Sequence, residues 1–414
     1  MIKLKSGPIG GAARPVLRTR ALEVERWFRA GSALALGAAL IFAVSAFAAT
    51  EAWARSLFQM SVLAIASCWA ARMAIAPYPL ARSLLLIPLA GAAAWGWLQL
   101  LAGATVYRFV TLEAALNWST YFLLFLIALQ VFADPELRRL FLRSLLYFGF
   151  VLCIVSVLQY FTARDKIYWI FPVRSGSSFG PFVNRDHYAI FVELLLPIAL
   201  VEMLRDQPKA VLHVSITGAL FASVIATGSR ASAILISVQI IVLLCLSGRA
   251  IRRTAVKVGI AIVLFTALVG LPVLRRQLEN PDVLTHRREM LLSALQMTRD
   301  RPWRGFGLGT FETVYPAYAH FDSGTRVDHA HNDWAEWAAE GGLPFCLMLL
   351  GLAGGAIRPA FRSLWGLGIL SVFVHSLVDF PMQIPALAAL QFAMLGALAA
   401  YARERRAVAC ARSS

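Results

Sequence analysis

Two histidines two residues apart open the densest polar stretch of the chain, His329-Ala330-His331-Asn332-Asp333-Trp334, with Glu336, Trp337 and Glu340 following. A carboxamide or carboxylate just before a helical run is a good N-cap, so Asn332 or Asp333 is expected to start a helix here. His331 would then lie beside the positive end of that helix, where the dipole disfavours imidazolium and keeps the ring neutral. A neutral imidazole in that place is suited to take a proton from a hydroxyl. Two plainer readings stand beside this one. The stretch also reads as a polar cap on an apolar helix. His329 and His331, with Asp333 helping, make a start on a metal site, but the spacing supplies no third distant ligand.

Other constellations carry cations. Arg230 lies in Thr227-Gly228-Ser229-Arg230-Ala231-Ser232, a very short turn between apolar runs. So close to apolar surroundings, it needs an anionic partner or must snorkel to lipid headgroups. Ser229 has no neighbours that would complete a nucleophilic triad. The segment 284–298 mixes Leu284, Leu291, Leu292, Leu295 and Met297 with Arg287, Arg288 and Glu289. It reads as an amphipathic helix capped by Thr285 and stopped before Pro302, able to lie on a membrane. Its arginines have the geometry for bidentate phosphate contacts. Arg301-Pro302-Trp303-Arg304-Gly305-Phe306-Gly307-Leu308-Gly309 lacks the strand and βαβ unit of a nucleotide fold and reads as a tight turn. Asn184, Arg185, Asp186 and His187 precede an apolar run in which Glu193 is the deepest carboxylate. His375 and Asp379 are one helical turn apart, so they can bond each other, or Asp379 can orient another histidine. Trp303, Phe306, Phe311, Tyr315, Tyr318, Trp334 and Trp337 crowd the same region, as an interfacial belt or a sugar-stacking surface.

The elements that must position these groups are apolar blocks. Apolar residues make up 59% of the 414 and charged residues only 15%; a soluble domain needs roughly 25% charged. Blocks 31–50, 83–107, 114–133, 144–163, 231–248 and 380–402 carry no charge. Shorter blocks are 56–71, 258–274, 341–357 and 363–378, and 187–204 and 210–229 hold an isolated polar residue. That predicts an all-α, polytopic transmembrane bundle of about twelve helices, since about 20 apolar residues span a bilayer. A barrel is excluded because the blocks are apolar all round instead of alternating. The basic arm, apolar run and Ala46-Phe47-Ala48 imitate a signal peptide, but the block is too long, so a retained first span is expected. The five cysteines are scattered, four of them inside apolar blocks, and suggest neither disulfides nor a metal site.

The net charge of +16 is mostly topological. With the N-terminus inside, 24 of the 39 Lys and Arg residues fall on the cytoplasmic side, and most of the others lie in two long loops that count little. Both termini are then cytoplasmic, and a nucleic-acid partner is not expected. The chain divides into a basic arm (1–30), one membrane domain (31–402) with a long outer loop at about 275–332 between helices nine and ten, and a tail (403–414). All the polar constellations fall at the outer edge.

In order and side, five stretches resemble the O-antigen ligase and O-antigen polymerase superfamily of bacterial envelope glycosyltransferases. They are Phe182-Val183-Asn184-Arg185-Asp186-His187, Thr227-Gly228-Ser229-Arg230-Ala231, Arg301 through Phe311, Ala330-His331-Asn332-Asp333-Trp334 through Pro344, and Val374-His375-Ser376-Leu377-Val378-Asp379-Phe380. The resemblance implies a ligase-like fold of twelve helices in the bacterial inner membrane with its long loop and active site in the periplasm. It implies an undecaprenyl-diphosphate-linked oligosaccharide donor, a glycan or lipid A–core acceptor, and neither metal nor cofactor. By motif, His331 matches the catalytic histidine, Arg230 the short-turn arginine, and Arg287 the loop-helix arginine with Arg288 as the register alternative. Where the family usually has a tryptophan four residues after that arginine, this chain has Leu291. Arg185, His187, Asn332, Glu336, His375 and Asp379 are the supporting residues. An O-antigen or exopolysaccharide polymerase shares these motifs. A transporter is the alternative from another class, but it would place polar residues on broken helices at the midplane, where only Glu193 is a candidate.

Overall fold

The computed structural model describes residues 13–76, 80–164, 166–173, 178–205, 207–246, 281–320, 324 and 326–413. Among them the chain is helical apart from one short hairpin, Lys166–Ile167 against Phe171–Pro172. Eight described helices precede the large loop: α1 (Ala13–Ser45), α2 (Ala52–Ile75), α3 (Leu86–Leu101), α4 (Arg108–Val131), α5 (Pro135–Thr162), α6 (Arg185–Arg205), α7 (Ala210–Thr227) and α8 (Arg230–Leu246). The loop contributes α9 (Pro281–Asp300) and the single turn α10 (Phe311–Val314). Three helices follow: α11 (Asp333–Ser363), α12 (Leu367–His375) and α13 (Pro385–Ser413).

Among the described residues seven helices are long and apolar enough to cross a membrane: α1, α2, α4, α5, α6, α11 and α13. The helices α3, α7 and α8 are apolar but shorter, and α12 has nine residues. The predicted block 258–274 lies outside the described residues. Every other predicted block coincides with a helix.

The physical reason for the layering is visible in burial. Helix α6 is buried along nearly its whole length and, apart from Glu193 and Glu202, apolar between His187 and Leu204; the first half of α13 is buried as well. The outer helices keep one exposed apolar face, for example Leu57, Met60 and Leu63 on α2. Such a face is costly in water and neutral in lipid tails. Close contacts use glycine: a Cβ at Gly396 of α13 would stand 2.6 Å from the Phe125 carbonyl of α4. Around that contact Trp118, Tyr121, Phe345 and Phe392 pack edge to face or stacked.

The loop has a second, smaller core. Met290, Ala294 and Met297 of α9 pack with Phe306, Phe311, Val314, Tyr315, Ala330, Ala335 and Ala339. Helix α9 therefore lies on the protein with its apolar face, not only on lipid. It also begins a turn earlier than predicted, at Pro281 instead of after Thr285, because proline is well placed in a first turn.

Candidate active site

The site is built where the start of α11 meets the turn after α12. Asn332 caps α11, its side chain accepting the Ala335 N–H at 3.0 Å. Its Nδ2 donates to the Leu377 carbonyl at 2.8 Å. Asp333, the first residue of the helix, is fully buried and works as a staple. Its N–H donates to the Ser376 carbonyl, and its Oδ2 accepts Ser376 Oγ at 2.9 Å and the Met382 N–H at 3.0 Å. These bonds fix turn 376–380 against the residue before the cap, which is His331.

His331 has φ of 49°. A non-glycine residue in this region is under local strain unless its surroundings hold it there. Here Asn332 and Asp333 on one side and the Ala330 N–H, bonded to Glu336 Oε2 at 2.7 Å, on the other do so. Its Nδ1 lies 3.2 Å from Asp379 Oδ1. Burial works against the Asp379 charge, but the hydrogen bond from His331 and the neighbouring imidazoles outweigh it and hold the carboxyl down at about 2. An ionised carboxylate accepts only, so Nδ1 is the nitrogen that donates to Asp379, and in the neutral ring Nε2 is the one that holds the lone pair.

His375 and Asp379 do not bond each other, although they are one turn apart in sequence. The regular helix ends at His375, and the turn that follows carries Asp379 to His331 while His375 Nδ1 bonds Glu193 Oε1 at 2.7 Å. His329 has its own carboxylate, Glu336 Oε1 at 2.8 Å. Burial would lower the His329 pKa, but the adjacent Glu336 charge and its hydrogen bond raise it to about 9. His187, on the first turn of α6, is buried, and its Nε2 has no partner among the described residues. Three imidazoles ring Phe380: His329 stacked at 4.5 Å, His331 edge-on at 4.8 Å and His187 edge-on at 5.0 Å between centroids. Phe380 was quoted in the motif, but nothing in its sequence position marks it as this hub.

The cations sit next to the imidazoles. Arg287 Nη1 donates to the Val378 carbonyl at 3.1 Å, beside Asp379. Arg288 is exposed, so the geometry turns Arg287 and not Arg288 to the site. Arg230 is the first residue of α8, after Gly228 closes α7 in the left-handed conformation (φ 71°). The two guanidiniums are close enough to repel each other. Arg230 Nε is buried without a partner, and no carboxylate among the described residues pairs with either arginine. Arg230 at a helix N-terminus with Arg287 beside it is an arrangement that can attract an anion. Ser229 Oγ donates to Ser232 Oγ, and among the described residues no base is hydrogen-bonded to it. Arg185 opens α6 two residues before His187, half-buried, and no hydrogen bond ties it to this cluster among the described residues.

An apolar cleft of about 860 Å³ lies between α8, α11 and α12, with Val238, Trp334, Leu350, Phe361 and Leu377 among its walls. Leu377 links it to the arginine site, since Val378 is the next residue. Of the clustered aromatics, Phe306, Phe311, Tyr315 and Trp337 are core residues, and Trp303 is the well-exposed one at 70%. Among the described residues no group of three or more His, Cys, Asp or Glu could hold a metal ion.

The glycine-rich stretch does something else. Gly305, Gly307 and Gly309 all have positive φ, and a Cβ on Gly305 would stand 2.1 Å from the Glu340 carbonyl. Glu340 accepts the N–H groups of Gly309 and Phe311 at 2.8 Å each. Gln99 of α3 ties the same loop, accepting from Leu308 and donating to the Arg304 and Glu340 carbonyls. This is the tight turn predicted, strapped to α11 and α3.

Residues 216–350 match the family model described as O-antigen ligase. The resemblance to the O-antigen ligase and polymerase superfamily is borne out. The match supports a membrane glycosyltransferase function in envelope polysaccharide synthesis. It contains Arg230, Arg287, His329, His331 and Glu336. His187, His375 and Asp379 lie beyond it, and the fold brings them to the same place. No curated protein matches the chain.

Proposed function

We propose that the protein transfers a glycan from an undecaprenyl-diphosphate-linked donor to an acceptor hydroxyl, as an O-antigen ligase-type enzyme. In this reading about twelve spans place the site on the periplasmic face of a bacterial inner membrane, with both termini cytoplasmic. The observation that carries it is the His331–Asp379 pair beside two arginines that have no carboxylate partner among the described residues. Asp379 keeps the proton on His331 Nδ1, so Nε2 is the base that takes the proton of the acceptor hydroxyl. The acceptor oxygen bonds to the anomeric carbon as the bond from that carbon to the lipid diphosphate breaks. Charge grows on the departing diphosphate, and Arg230 and Arg287 are already in place to stabilise it. Arginine keeps its charge beside lipid, as this step requires. The apolar cleft that reaches Leu377 suits a substrate whose other end is a lipid chain.

The test is transfer in vesicles by the purified protein with a lipid-linked glycan donor. His331→Ala is expected to lose transfer by about 10²–10⁴-fold while the protein still inserts and accumulates. A well-expressed, fully active variant would refute the assignment. The acceptor is read from the envelope glycan of a deletion strain. Long lipid-linked chains with bare lipid A–core mark a ligase, and single unpolymerised units mark a polymerase. An unchanged glycan profile with altered uptake marks a transporter.

A further inference from the structure

A buried node joins the helix leading to Asp379 with the helix that begins at Arg230. Pro197 lies inside α6 and has no N–H, so the carbonyl four residues earlier, that of Glu193, has no helical donor. Gln239 of α8 supplies one, its Nε2 reaching that carbonyl at 3.1 Å. The side chain of the same residue serves α12. Glu193 Oε1 pairs with His375 Nδ1 at 2.7 Å, and Oε2 accepts Ser371 Oγ at 2.9 Å. The two helices touch backbone to backbone here, for a Cβ on Gly368 would stand 2.6 Å from the Leu194 carbonyl and 2.9 Å from that of Glu193.

Glu193 and His375 are 0% and 1% exposed, so neither side chain is open to a bound glycan or headgroup. Burying such a pair is costly compared with apolar side chains of the same size. What the pair controls follows from the backbone. The His375 carbonyl accepts the N–H of Val378 at 2.9 Å and of Asp379 at 3.1 Å. The residue whose ring Glu193 grips therefore also anchors the turn that offers Asp379 to His331 and the Val378 carbonyl to Arg287.

We infer that Glu193 is a positioning residue for the transfer reaction. Acting through His375, its carboxylate sets Asp379 against His331, while its backbone carbonyl, taken by Gln239, keeps α6 against the Arg230 helix whatever side chain stands at 193. The inference rests on the glycosyltransfer reading above. A misplacement of about 1 Å at a general base costs on the order of a hundredfold in rate.

The experiment is a mutant cycle measured by vesicle transfer with a lipid-linked glycan donor, using Glu193→Leu, Glu193→Gln, Asp379→Asn and the Glu193→Leu/Asp379→Asn double variant. Glu193→Leu is expected to lower kcat by about a hundredfold and leave the donor KM nearly unchanged, because both arginines remain. Glu193→Gln keeps an oxygen for His375 and recovers most of the rate. The double variant is no slower than Asp379→Asn alone, because the two changes remove one function. A wild-type kcat for Glu193→Leu, or losses that multiply in the double variant, would overturn the inference. Where leucine at 193 stops accumulation, His375→Asn and His375→Ala carry the same test. The amide still donates to Glu193 and keeps the rate, and equal rates for the two overturn the proposal. An active His331→Ala would instead refute the underlying reading, so the two failures are told apart.

Discussion

The His331 cluster and the glycine strap both belong to the motifs that carry the family resemblance, yet they use their polar groups in opposite ways. In the strap every group is committed: both Glu340 oxygens, the Gln99 amide and the loop N–H groups bond within the protein. In the cluster several are not. Among the described residues Arg230 Nε and His187 Nε2 have no partner, and the Asp379 contact takes only Nδ1 of His331. A buried polar group without a partner costs about 1–3 kcal/mol, so folding alone does not favour such an arrangement. The contrast separates residues that hold the site from residues that wait for a substrate.

The strongest way to break that comparison is to exchange the expected phenotypes. His331→Ala should abolish transfer with little effect on thermal stability. Glu340→Ala should do the reverse in kind, leaving the Gly309 and Phe311 N–H groups unpaired at a cost of about 1–3 kcal/mol each. The measurement is Tm in detergent beside transfer rate. A Glu340→Ala protein with unchanged Tm, or a His331→Ala protein that unfolds, would erase the distinction.

A smaller effect sharpens the cation half of the cluster. Arg287→Lys should raise the donor KM and lower kcat by roughly tenfold in all, since lysine loses the forked contact to a diphosphate. Arg288→Lys, on an exposed position, should change either constant less than twofold. Equal losses would mean that both arginines reach the donor and that the register assignment is wrong.

What the sequence made legible follows the range of each signal. Apolar blocks and caps are local, so the helices, the Asn332 cap and the Gly228 turn before Arg230 could be read directly. The strap was read as a turn for the same reason, from three glycines. The partners were not legible. Glu193 and His375 are 182 residues apart, Gln99 and Glu340 241, and apolar periodicity does not say which helices abut. Asp379 was paired with two candidates because helical spacing cannot reveal that the helix stops at His375. Pro197 was the available clue to the node, since a buried proline always frees the carbonyl four residues before it.

The smallest predicted effect separates the two neighbouring imidazoles. His331 pairs with Asp379, and His329 pairs with Glu336, which holds it up at about 9. Burial opposes its charge, and the Glu336 carboxylate overcomes that. An unfolded histidine titrates near about 6.5. A folded pKa above that value adds stability that is complete below about pH 6.5 and is lost as the pH rises through about 9. The difference in Tm between the wild type and His329→Gln should therefore be largest near pH 6 and shrink steadily toward pH 9.5. Because His329 stacks on the same Phe380 ring as His331, the variant should also show a modest loss of transfer, a few-fold at neutral pH. A Tm difference that stays constant across the range would mean that His329 is already neutral, and that its bond to Glu336 is structural like those of the strap.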